Sequence, residues 1–85
     1  MTYANYQDIA KAIRHLDNFT GNSSRGVFDM ETGEYRVYSY RTLIAIANPR
    51  TGGVAMNARK YSQTTSRLQN IIRKAWADLT ISELD

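Results

Sequence analysis

Arginine, lysine and tyrosine are the side chains of this chain best equipped to hold a ligand, and most of them fall in one stretch. Residues 35–77 carry eight Arg or Lys, no Asp or Glu, four of the six tyrosines and the only tryptophan. Cationic groups neutralise phosphates and carboxylates, and tyrosine rings stack on bases, so the combination points to an anionic partner. Arg59, Lys60, Arg67, Arg73 and Lys74 form the first candidate surface. They lie around a predicted helix whose start, near residues 64–66, offers free amides and a positive dipole end to an anion. Arg36, Tyr38 and Tyr40, with Arg41 beside them, form the second. Strand alternation would put the first three on one face, where they would stack bases and neutralise phosphates. Both groups also have a plainer use, as a solvated basic face and as cross-strand Tyr/Arg pairs.

Catalytic chemistry finds less footing. A triad needs a nucleophile, a base and an orienting acid. The only histidine, His15, falls at a polar or boundary position of a predicted helix. A metal centre needs three or four convergent ligands. The acids Asp8, Asp17, Asp29, Glu31 and Glu34 are scattered without ligand spacing, and there is no cysteine. Gly21 and Gly26 frame half a phosphate loop, yet no Gly-Lys-Ser/Thr follows and the next segment reads as a strand. Tyr61 near Arg59 is too common a pairing in basic segments to carry an activity. The expectation is a binding protein rather than an enzyme, with no cofactor and no metal.

These candidates need elements to position them. Residues 2–19 predict an amphipathic helix, with Tyr6, Ile9, Ile13 and Leu16 on one face, Thr2 or Asn5 as its cap and Gly21 as its stop. Residues 20–26 read as a loop and 27–30 as a short strand, turning at Glu31, Thr32 and Gly33. Residues 34–40 alternate as a strand, with Tyr35, Val37 and Ser39 facing one way. Residues 42–47 form an apolar strand, residues 48–53 a hairpin loop, and Val54, Ala55 and Met56 open a further strand that fades near Asn57. The Ser/Thr run at 62–66 predicts the cap of a second helix reaching about Leu79, its stripe Leu68, Ile71, Ile72, Ala75 and Leu79, with Trp76 at the edge. Residues 80–85 read as a loosely held acidic tail. The fold class is α+β: helix, three- to four-stranded antiparallel meander, helix, with both helices on one sheet face. The expected core is Ile9, Ile13, Leu16, Val37, Ile44, Ile46, Leu68, Ile71, Ile72 and Ala75. No internal repeat is apparent.

Composition bounds the rest. Eighty-five residues predict a single domain, and 42% hydrophobic with 11% aromatic residues is too apolar for disorder throughout. No apolar run approaches the roughly 20 residues of a membrane span, and the N-terminus lacks the pattern of a signal peptide. Without cysteine staples, a cytoplasmic location is expected. Residues 1–34 hold three bases against five acids, and residues 78–85 hold three acids. The net charge of +3 therefore conceals a strongly basic middle between acidic ends. Such segregation bears on partners rather than on fold.

One pattern adds to this. Tyr38-Ser39-Tyr40-x-Thr42-Leu43-Ile44-Ala45, then Asn57-x-x-Lys60-Tyr61-Ser62-x-Thr64-Thr65-Ser66-x-x-Gln69, resembles a pattern in small bacteriophage-encoded proteins of unknown function. The resemblance spans residues 35–75, about half of the chain. It implies a phage or prophage origin and supplies no site residues. By analogy with small phage proteins that block host machines, the leading expectation is an inhibitor of a host defence complex, of anti-CRISPR type, in the cytoplasm of the infected bacterium. Its partner would be a host protein or nucleoprotein complex. The alternative is an accessory protein that binds DNA or RNA, and a Tyr-rich edge would also suit a homodimer. No membrane partner is expected.

Overall fold

A computed structural model describes residues 6–21 and 23–84. The elements are α1 (Tyr6–His15), β1 (Phe19–Thr20), β2 (Ser24–Asp29), β3 (Glu34–Ser39), β4 (Thr42–Asn48), β5 (Gly53–Met56), α2 (Gln63–Ala75) and β6 (Ile81–Glu83). The expected caps Thr2 and Asn5, the side chain of Tyr6, and Asn22 and Asp85 lie outside the described residues. The mixed α+β class holds, but the sheet has six strands rather than three or four. They lie in sequence order: β1 to β5 pair antiparallel, and β6 returns parallel to β5 with α2 as the crossover.

β3 shows why the sheet forms. Its alternation is strict, with Tyr35, Val37 and Ser39 buried and Glu34, Arg36 and Tyr38 half-buried. Tyr35, Val37 and their inward neighbours on β4 and β5 join Ile9 and Ile13 of α1, and Leu68, Ile72 and Ala75 of α2, in one core. Phe19, Ala45, Ala47, Val54, Met56 and Trp76 complete it. Ile46, an expected core residue, is only half-buried. The β3–β4 register shifts at Val37/Tyr38, so that Ile44 is an extra residue beside Ala45 and both are buried. Alternation then turns Ile46 to the opposite face, level with Arg36 and Ala55. Leu16 and Ile71 pack at the core's margin.

Three further expectations are corrected. α1 stops at His15, not near Gly21. Leu16 takes φ 57°, the Asp17 amide donates to the Ala12 carbonyl at 2.8 Å, and the Leu16 amide donates to the Ile13 carbonyl at 3.2 Å. This is a Schellman stop with leucine where glycine is usual, its strain offset by packing against the core. α2 ends at Ala75 rather than Leu79. Trp76 leaves the helix and is buried, with its indole N–H donating to the Ile13 carbonyl at 3.4 Å. Arg14 donates to the Ala75 carbonyl at 3.0 Å and pairs with Asp78 at 3.2 Å, so the C-terminal ends of the two helices are tied together. Residues 81–83, expected in a loose tail, form β6, and the Leu84 amide adds a bond to the Met56 carbonyl at 3.0 Å.

The hairpins β2–β3 and β4–β5 turn through loops built alike. In each, an Asx side chain caps the turn: Asp29 accepts from the Glu31 amide and Asn48 from the Arg50 amide. A threonine hydroxyl then accepts from the first amide of the next strand, Thr32 from Glu34 and Thr51 from Gly53. Gly33 and Gly52 supply the left-handed residue at φ 73° and 74°.

Gly26 marks the tightest point. A Cβ there would overlap the Tyr35 hydroxyl and the Phe19 ring. That hydroxyl, buried and donating to the Asp17 carbonyl at 2.7 Å, has its pKa pushed up by burial and, secondarily, by the Asp17 charge. Gly26→Ala is expected to lose about 1–3 kcal/mol of stability by urea denaturation. Tyr35→Phe is expected to lose about 1 kcal/mol. The double variant should lose less than the two together, because removing the hydroxyl relieves part of the overlap.

Candidate basic surface

The connection from β5 to α2, residues 57–62, is where side-chain hydrogen bonding concentrates. Asn57 leaves the sheet with its amide still bonded to the Ile44 carbonyl at 2.6 Å. Its Oδ1 accepts from the Arg59 amide at 3.0 Å, and its Nδ2 donates to the Tyr61 hydroxyl at 2.8 Å and to the Leu43 carbonyl at 3.5 Å. From below, buried Gln69 donates through Nε2 to the carbonyls of Asn57 at 2.7 Å and Arg59 at 2.9 Å. Ser62 then caps α2, accepting from the Thr65 amide, while the Thr65 hydroxyl bonds Ser39 of β3 at 2.8 Å. The backbone is fixed on both sides, yet Arg59 and Lys60 are exposed and Tyr61 is 41% exposed.

The remaining expected contacts lie on α2, dispersed by its 100° per residue. Arg67 and Lys74 fall on the side opposite the buried Leu68, Ile72 and Ala75. Arg73 falls on the flank, bonded to Asn70 at 2.9 Å, where it lines a shallow cleft with Ala58 and Glu83. The structure thus brings Arg59 and Lys60 together, places Arg67 and Lys74 on a neighbouring face, and puts Arg73 beside an acid.

The second candidate group divides. Arg36 is held by Asp29 at 3.2 Å and Glu34 at 2.7 Å. These contacts raise its pKa, the Asp29 bond most. Asp29 is held below its usual range by the Glu31 amide first and by Arg36 next. Tyr38 carries the Arg25 guanidinium over its ring at 4.8 Å, so one face is occupied. Tyr40 does not share their face: β3 ends at Ser39, and Tyr40 occupies the two-residue turn to β4 at φ 55°, 65% exposed. Arg41 follows it, also exposed.

Strand direction sorts these residues into two ends. The loops 30–33 and 49–52 close one end of the sheet. The turn at Tyr40 and Arg41, the loop 57–62 and the start of α2 close the other. Asp29, Glu31 and Glu34 belong to the first end, with Asp17 and Asp78 beside it through Tyr35 and Arg14. Arg41, Arg59 and Lys60 belong to the second, with Asp8 in the first turn of α1 and Glu83 at the end of β6. Among the described residues, the ion pairs are Arg14–Asp78, Arg36–Asp29 and Arg36–Glu34, and none of them involves Arg41, Arg59 or Lys60. Charge counting along the chain finds the bases, but not this division, which needs the strand order. The support from Gln69 is likewise hidden, since a glutamine next to helix-face residues reads as solvent-facing.

Among the described residues no helix is long and apolar enough to cross a membrane, and no three His, Cys, Asp or Glu side chains converge for a metal. A family model matches residues 8–79, that of a family of unknown function, DUF8033. No curated protein and no solved structure matches the chain.

Gln69→Ala removes both donors to the 57–62 backbone. It is expected to cost about 1–2 kcal/mol, since two partly buried carbonyls lose their partner. Hydrogen exchange of the Asn57 and Arg59 amides should accelerate more than that of β3, and equal acceleration would mean the Gln69 amide does not hold this loop. Asp29 and Asp78 have folded pKa values below 3.8, the latter chiefly through Arg14. Their stabilising effect is present above that value and lost as pH falls through the lowered one. The melting temperature should therefore drop below about pH 4, and drop less in Asp29→Asn with Asp78→Asn.

Proposed function

The chain belongs to that family, whose function is unknown, and we propose from its geometry that it is a non-enzymatic binding protein that occupies an anionic functional surface of a host complex. The observation that supports this is the end of the sheet where Arg41, Arg59 and Lys60 stand exposed, outside every described ion pair, the last two on a connection fixed by Asn57 and Gln69. A rigid loop loses little conformational entropy on docking, so its cations add more to affinity than the same charges on a flexible tail. Arg67 and Lys74 extend the basic surface along the outer side of α2. In this reading both helices cover the sheet face of Tyr35, Val37 and Ser39, leaving the end and outer side free.

The concrete form of the proposal is a phage-encoded inhibitor of anti-CRISPR type, acting on a nucleoprotein complex in the cytoplasm of the infected bacterium. The resemblance of residues 35–75 to small phage proteins supports the origin, and the basic end supports the mode of action.

The test is an infection assay in bacteria with an active CRISPR system aimed at the infecting phage. Expression of the chain should raise the plating efficiency by orders of magnitude. Arg59→Glu with Lys60→Glu, at equal protein level and melting temperature, should return it to the level without the protein. Continued exclusion of the phage despite good expression, across the CRISPR types tried, would sink the inhibitor reading.

A further inference from the structure

The turn at Tyr40 and Arg41 and the loop 57–62 approach one another because the β3–β4 hairpin closes at the end of the sheet where the neighbouring β4–β5 pair opens. The link is direct: Asn57 Nδ2 bonds both the Leu43 carbonyl, two residues beyond Arg41, and the Tyr61 hydroxyl. This end therefore presents two tyrosines, 65% and 41% exposed, interleaved with Arg41, Arg59 and Lys60. The Tyr61 ring is tethered by its hydroxyl, and the backbone that carries Tyr40 is held left-handed at φ 55° with its amide bonded to the Ser23 carbonyl at 2.8 Å. A non-glycine residue at positive φ is strained, and strain of this kind persists where the surroundings enforce it.

We propose that this end binds single-stranded nucleic acid, with Tyr40 and Tyr61 as stacking platforms and Arg41, Arg59 and Lys60 on the phosphates. The proposal rests on the binding reading above and names the ligand chemistry of its basic end. An acidic protein surface would pair its carboxylates with the cations, and those carboxylates offer the rings no flat face to stack on. A duplex keeps its bases stacked on one another and offers no free face to a tyrosine. A single strand uses both kinds of group, since stacking accepts any base and the cations follow the backbone. The site so defined takes one half of each sequence-level candidate, Tyr40 and Arg41 from one and Arg59 and Lys60 from the other. It leaves out Arg36 and Tyr38, which are engaged within the sheet.

The test is fluorescence anisotropy of the intact chain with labelled oligo-dT and oligo-U of about ten nucleotides and with a duplex of equal length. The single strands should bind more tightly than the duplex and weaken steeply between about 50 and 200 mM salt. Tyr40→Asn removes the ring but keeps a residue that tolerates left-handed backbone. It should cost roughly tenfold or more in affinity, Tyr40→Phe should retain binding, and Arg59→Ala should lower the salt slope by about one. Arg50→Ala, an exposed cation in the loop at the opposite end of the sheet, should change nothing. Equal affinity for duplex and single strand, or full binding by Tyr40→Asn, overturns the proposal. Should oligonucleotides fail to bind while the infection assay still shows inhibition abolished by Arg59→Glu with Lys60→Glu, this proposal falls and the inhibitor reading stands. Failure of both assays removes both.

Discussion

One buried amide holds the basic end of this molecule in place. Gln69 Nε2 reaches from α2 to two carbonyls of the chain leaving β5, at 2.7 and 2.9 Å. An extended strand that must turn into a helix has backbone groups with no partner in either element, and in a buried setting each costs about as much as a lost hydrogen bond. Gln69 satisfies two of them, Asn57 a third, and Ser62 one of the free amides in the first turn of the helix, that of Thr65. Most of the residues in the pattern around Lys60 and Tyr61 therefore have a mechanical reason for their type. Asn57, Tyr61, Ser62, Thr65 and Gln69 build the connection, and Arg59 and Lys60 stand on it.

The same economy explains the electrostatics. Arg36 sits beside two acids that the β2–β3 hairpin brings to it: Asp29 and Glu34 are paired across the ladder, and Arg36 follows Glu34 at the strand period of two. Its charge is satisfied within the hairpin, and it stiffens the turn instead of awaiting a ligand. At the opposite end the described acids are fewer, Asp8 in the first turn of α1 and Glu83 at the end of β6, and the cations Arg41, Arg59 and Lys60 are exposed. A net charge of +3 describes neither end.

Much of the framework was legible because local rules sufficed. The alternation of β3, the inward direction of Tyr35 and Val37, a helix cap within the Ser/Thr run 62–66 and the apolar stripe of α2 all follow from spacing, while the choice of Ser62 within that run, ahead of the expected start at 64–66, does not. What escaped depended on partners distant in sequence. β1 has two residues and β6 three, too few for any periodic signal, and each exists because a neighbouring strand offers its edge. The shift at Val37/Tyr38 inverts the facing of Ile46, which a continuous apolar run cannot announce. Leu16 stops α1 where glycine was the local expectation, because the core holds its side chain. Trp76, read at a helix edge, is buried since α1 supplies both a surface for its ring and a carbonyl for its indole. For the site, the charges were visible and their grouping was not. Tyr40 looked like a strand residue until the two-residue turn placed it at the tip.

The parallel return of β6 decides where those charges go. Because β6 runs alongside β5 in the same direction, the intervening helix must travel back against both, so α2 starts at the end where β5 leaves the sheet. Its N-terminus, with the positive end of its dipole, thus lies beside Arg59 and Lys60. Its C-terminus lies at the acidic end, where Arg14 takes the Ala75 carbonyl and Asp78 answers Arg14. An antiparallel return would need only a short turn and no crossover helix, leaving neither the dipole nor the 57–62 connection at that end. Three residues of edge strand, the least conspicuous element of the chain, therefore orient the helix that gives the basic end its field.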